Sequence, residues 1–224
     1  MKSPLPASML LACLTNPLQA EAVMTADELE QWITEDDAPT PVQVDENEIE
    51  FLPEPPAKPV LHTVNKLIVN QNSIDNGWVK LTQCYKHLDP VAKTDVVYRY
   101  KFMRALDIIS KRHIGKATVQ GQSIALVDVG NNAELCVKAE VRIFYHHQNG
   151  TFSLIDGPYH RKYLDGYFPY HVTLSIQYPE SKLMLINTIP AEQPGFDLDR
   201  GKNRLTIDTH FAGTLMTKII FNAR

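Results

Sequence analysis

The chain has 224 residues, 44% apolar and 21% charged, with 22 basic and 26 acidic side chains and a formal net charge of −4. That apolar share suffices to bury a core and excludes a wholly disordered polymer, while the acidic balance and scattered basic residues point to no nucleic-acid partner. No stretch offers the roughly 18 consecutive apolar residues that a membrane-spanning helix needs.

Residues 1–22 read as a signal peptide. Lys2 supplies a positive start, Met9 to Leu14 a short apolar run, and Ala20-Glu21-Ala22 a small-x-small cleavage site. The expected location is therefore the bacterial periplasm or the medium. Leu10-Leu11-Ala12-Cys13 also fits a lipoprotein box, which would anchor the chain by lipid at Cys13. Either way Cys84 and Cys136 are left in the folded body. In an oxidising compartment they are expected to form a disulfide, since both fall on the more polar phase of alternating segments.

Residues 23–62 form an acidic, Pro-rich arm with eleven acidic residues and one basic residue, Lys58. From residue 63 onward the count turns to twenty basic and fourteen acidic. A short helix is predicted over 25–35, with Thr25 and Glu28 as a capping box and Leu29, Trp32 and Ile33 on one face. The prolines between 36 and 59 predict an extended linker, interrupted by the apolar residues Ile49, Phe51 and Leu52. Trp32 and Phe51 are candidate anchors that order on a partner.

Residues 63–224 carry strand signals throughout, with a possible sub-boundary near 157–170. Val172, Leu174, Ile176 and Tyr178 alternate with His171, Thr173, Ser175 and Gln177. Leu205, Ile207, Thr209 and Phe211 repeat the pattern, as do alternate residues from Val137 to Tyr145. Asn149-Gly150 predicts a hairpin turn, because both turn positions need positive φ. Phe102, Ala105, Leu106 and Ile109 fit a helix as well as a bent strand. The predicted fold class is all-β, a mainly antiparallel β-sandwich of immunoglobulin-like or related type, preceded by the extended acidic arm.

Residues 157–171 (GPYHRKYLDGYFPYH) are the candidate partner-binding segment: Tyr159, His160, Arg161, Tyr163, Tyr167 and Tyr170 combine apolar rings with polar and basic tips. The same rings would also serve as plugs between two sheets. Among the eight histidines, His146 and His147 are adjacent in a strand and point to opposite faces, whereas His160, His171, His87 or His113 could converge without any spacing that predicts it. No metal, cofactor or catalytic residue is assigned: nucleophile elbow, phosphate loop and dinucleotide fingerprint are all missing. The expected function is a non-catalytic binding or accessory protein of the bacterial envelope that engages an envelope protein or anionic glycan. The alternatives are a periplasmic enzyme on envelope glycan and a metal-handling periplasmic protein.

Overall fold

The computed structural model describes residues 48–164 and 166–224. Cys13, the helix expected over 25–35 and Trp32 lie outside them. The described residues are mostly strand with one short helix, in two facing sheets whose shared core holds Leu67, Leu81, Leu154, Leu174, Ile176, Phe196, Phe211 and Phe221. Each large side chain removed from water in this way contributes about 1.5–3 kcal/mol.

The larger sheet is built around the alternating segments read from the sequence. Its centre is β11 (Tyr170–Gln177), which pairs antiparallel with β14 (Arg204–Gly213) and parallel with β2 (His62–Ile68). Beyond β2 come β3 (Trp78–Leu88) and β6 (Ser123–Arg142), both antiparallel. Helix α1 (Gln71–Asn76) makes the turn from β2 to β3, capped by the Asn70 side chain at its start. At the other side of β14 lie β1 (Ile49–Phe51) and β13 (Phe196–Arg200), both on the same edge. The smaller sheet runs in the order β12 (Leu183–Ile189), β15 (Leu215–Ala223), β8 (Thr151–Tyr159) and β7 (Phe144–His146). A two-stranded ribbon, β9 (Lys162–Tyr163) and β10 (Gly166–Tyr167), stands apart.

Ile49 and Phe51 therefore belong to a strand of the body rather than to a free arm. β1 lies tight on β14 at Gly213 (φ 104), where an added Cβ would collide with the Glu48 carbonyl. Phe51 packs against Phe196 with ring centroids 5.2 Å apart. The half-buried Phe51 ring thus has an apolar seat within the body itself.

Three strands reach far beyond the sandwich. β4 (Val91–Val97) continues the line of β3 along one edge of β6, and β5 (Met103–Gln120) runs along the other. The inner face of this ribbon has its own core of Tyr98, Ile114, Ile124, Leu126, Val129, Leu135 and Val137. Among the described residues, the non-glycine residues with positive φ, namely His87, Ala105, His113, Asp128 and Asn132, all sit in β3, β5 and β6. Register shifts accompany them between Tyr85 and Leu88, Arg104 and Asp107, and Arg112 and Ile114. Each bulge inserts a residue, bends its strand and resets the side-chain phase. This resolves the ambiguity at 102–109: a bulged strand imitates helical spacing because alternation restarts after each extra residue.

Cys84 and Cys136 stand directly opposite each other in β3 and β6, with Cα atoms 4.1 Å apart, and are joined as a disulfide. They face away from the core, beside Thr82 and Lys138, as their phase predicted. Closing a loop of sequence separation 52 corresponds to about 4 kcal/mol of chain-entropy stabilisation. Replacing both cysteines by serine is expected to lower the unfolding free energy by about that amount in urea titration, with an unchanged β-type circular dichroism spectrum before the transition.

Candidate functional site

The aromatic segment divides by burial. Tyr159, Tyr167 and Tyr170 are buried, and this removes them from any partner surface. The Tyr159 hydroxyl donates to the buried Asp156 carboxylate and accepts from the Asn65 amide. Tyr100 donates to the other Asp156 oxygen at 2.9 Å, and the Tyr170 and Thr63 hydroxyls meet at 2.5 Å. Burial pushes the Asp156 carboxyl and the Tyr159 and Tyr100 hydroxyls up from their ordinary values. These rings are pegs between the sheets and the ribbon, the second of the two roles that the sequence left open. Arg161 is buried too, paired with Asp89 at 2.6 Å. Tyr163 is exposed and donates to the same carboxylate at 2.7 Å. His160 is exposed at the start of the ribbon, and Leu164 projects fully into solvent at its tip.

A second constellation lies on the outer face of the larger sheet. Alternation turns Thr63, Val172, Leu174, Ile207, Thr209 and Phe211 inward. The opposite phase of the same strands therefore presents His62 on β2, His171 and Thr173 on β11, and Asp208 and His210 on β14. Register aligns His62 with His171 and His171 with His210, and in the next row Thr173 with Asp208. The three imidazoles stack in a file, with centroids 3.6 Å and 3.8 Å apart.

Hydrogen bonds close this group. Thr173 donates its hydroxyl proton to Asp208 Oδ1 at 2.5 Å, so its oxygen accepts from His62 Nε2 at 2.9 Å. His171 Nε2 donates to the same Asp208 oxygen at 3.0 Å. The His171 hydrogen bond, reinforced by that from Thr173, holds the Asp208 carboxyl down to about 2. Burial, then the neighbouring His171 and Lys86, lowers His62 to about 4, and burial likewise lowers His210. Two imidazole nitrogens and one carboxylate oxygen thus converge, all within 4.8 Å of one another. Bonds of about 2.05 Å to a tetrahedral ion set donor atoms about 3.3 Å apart, so modest side-chain rotation, with each ring proton moved from the ligating nitrogen to the other, closes the set.

The chain's route places a lid over this row. β1 ends opposite Phe211, where Leu52 N–H donates to His210 O, and Leu61 O accepts from His171 N–H just before β2 begins. Residues 52–61 must therefore pass above His210, His171 and His62, because the other face of the sheet is filled by the core. Between strap and sheet lies an open cleft of about 290 Å³ lined by residues 55–60 and by His62, His87, His171 and His210. From the sequence, His171 is expected to converge with His160, His87 or His113. The structure joins it instead to His62, His210 and Asp208, with only His87 reaching the cleft. The local signal existed, as Asp208-x-His210 and His171-x-Thr173 share the outward phase, but the pairing of β2 with β11 lies far apart in sequence.

No family model matches the chain, and no curated protein matches it. Among solved structures it is similar to the M1 zinc metallopeptidase of Deinococcus radiodurans, with TM-score 0.38 and 11% identity over 73% of this chain and 41% of that one. The chain spans less than half of that protein's length, and a likeness this slight carries neither fold family nor chemistry across.

Two outcomes separate the pegs from the site. Tyr159→Phe leaves Asn65 and Asp156 short of a partner and is expected to cost about 1–3 kcal/mol in denaturant titration. For His62, the folded value near 4 lies below the ordinary 6.5, so the unfolded chain takes up the proton first. The stability carried by neutral His62, which faces His171, His210, Lys86 and Asp208, is complete above pH 6.5 and is lost as pH falls toward about 4. Wild-type stability measured against His62→Gln should therefore decline across that window, and a difference that grows on acidification would contradict the assignment.

Proposed function

We propose that this is an exported, non-catalytic accessory protein of the bacterial envelope whose working site binds a divalent transition-metal ion through His62, His171 and Asp208. The observation that carries this reading is the convergence of two imidazole nitrogens and a carboxylate oxygen within 4.8 Å, on three adjacent strands. Imidazole with carboxylate suits zinc, copper, nickel or iron(II), and is a poor set for calcium or magnesium, which prefer all-oxygen shells. Thr173 orients Asp208 from the side, as partners behind a ligand do in built metal sites.

Export is supported by the leader-like residues 1–22 and by the Cys84–Cys136 disulfide, a bond that persists in oxidising compartments. No described helix is long and apolar enough to cross a membrane. The envelope partner, protein or anionic glycan, we assign to the exposed ribbon tip, where His160, Tyr163 and Leu164 remain of the aromatic segment.

Zinc titration of the purified protein by calorimetry is the direct test. One equivalent should bind, and His171→Ala or Asp208→Ala should weaken it by roughly 100-fold, about 2.7 kcal/mol. His113→Ala, at a histidine that is neither a converging donor nor part of the cleft lining, should leave the isotherm unchanged. Wild-type protein that takes up no zinc, or a His171→Ala variant that binds as tightly, overturns the reading.

A further inference from the structure

We infer that the metal ion at this site keeps coordination positions open toward the strap, and that they accept an oxyanion, a carboxylate or phosphate oxygen donor, from the cleft. This rests on the metal reading above and names what the ion would hold. The three donors all rise from one face of one sheet, so they fill one side of the coordination sphere. Two of the donors, His62 and His171, also line the cleft of about 290 Å³ beneath residues 55–60, and Asp208 stands one row outside it. Allowing roughly 30 Å³ for a water, that space holds several waters or one small organic anion.

His210 does not complete the sphere. Its ring stacks on His171, on the side away from His62, and its nitrogens lie outside the group of converging donors. It lines the cleft instead, together with His87, where ring N–H groups can donate to a bound anion. The charge balance favours the same class. A divalent ion with one carboxylate and two neutral imidazoles keeps a net charge of about +1. Among the described residues that line the cleft none is acidic, and Lys58 is one of them. A carboxylate or phosphate oxygen would neutralise the ion, and the open cleft gives it a way in from solvent. Such an anion can be free in solution or borne by an envelope polymer, and the chemistry at the ion is the same.

The test uses the full chain loaded with cobalt(II), whose visible d–d absorption reports the coordination sphere. Acetate, inorganic phosphate and dimethyl phosphate are titrated separately to about 10 mM, above the millimolar affinity of a single weak contact. A saturable shift of the cobalt bands with any of the three supports the inference. A response to dimethyl phosphate points to a polymer-borne diester, and a response to acetate or inorganic phosphate alone points to a free anion. At equal cobalt loading, His210→Ala should weaken the anion response by roughly tenfold, about 1.4 kcal/mol, and His113→Ala should not. One equivalent of cobalt with bands that ignore all three anions overturns this inference and leaves the metal reading standing. No cobalt spectrum at all overturns both.

Discussion

The register of β2, β11 and β14 is the constraint on which both core and site depend. Strand side chains repeat with period two, so a slip of one residue between neighbours exchanges the faces of the whole strand. In this sheet such a slip would carry His62, His171 or Asp208 into a core of Leu67, Leu174, Ile176 and Ile207, and expel those apolar side chains. Burying an unpaired carboxylate or imidazole costs several kcal/mol, and losing each apolar residue costs about 1.5–3 kcal/mol more. The apolar face thus fixes the register, and the register alone sets three imidazoles in file with a carboxylate one row away. No loop has to fold around the site for its donors to meet.

The rest of the molecule holds that sheet in place from two directions. On one side the disulfide clamps β3 to β6, and the β3 bulge at His87 bends the strand so that this residue reaches the cleft wall. From within, the Tyr–Asp network ties the two sheets and the ribbon together. Asn65 belongs to β2, Asp156 and Tyr159 to β8, and Tyr100 to the connection into β5. A carboxylate this deeply buried is tolerated because two phenol hydroxyls and the Gly157 N–H donate to it. The network is bought with desolvation, and what it returns is a fixed relation between β8 and β2 directly behind the site.

The strands with strict alternation, 171–177 and 204–211, were legible because each is half buried, and period two is all that half burial requires. The polar phase of Cys84 and Cys136 was legible for the same reason. Residues 102–109 were not, because bulges at Ala105 and beyond reset the phase and leave a three-to-four spacing. The aromatic run 157–171 could not be assigned from composition, since Tyr suits both a core peg and an interface; hydrogen bonds to Asp156 and Asn65 decide for Tyr159, and burial for Tyr167 and Tyr170. Least visible was the histidine file. Each member was on the correct phase, but its neighbours are set by a parallel pairing between residues 109 apart, His62 and His171, which no local pattern encodes.

The prolines of the strap acquire a role in this arrangement. A chain crossing the outer face from β1 to β2 spans three inter-strand steps, about 14 Å, and its ten residues could easily have paired with an edge or collapsed onto the sheet. Pro53, Pro55, Pro56 and Pro59 remove the N–H groups that such pairing needs and favour an extended, polyproline-like path. Held at one end by the Leu52–His210 hydrogen bond and at the other by the bond from His171 to Leu61, the strap bridges the histidine row instead of sealing it. A stretch that composition alone marks as a linker is thereby one wall of the cleft. Its stiffness keeps the converging donors reachable from solvent.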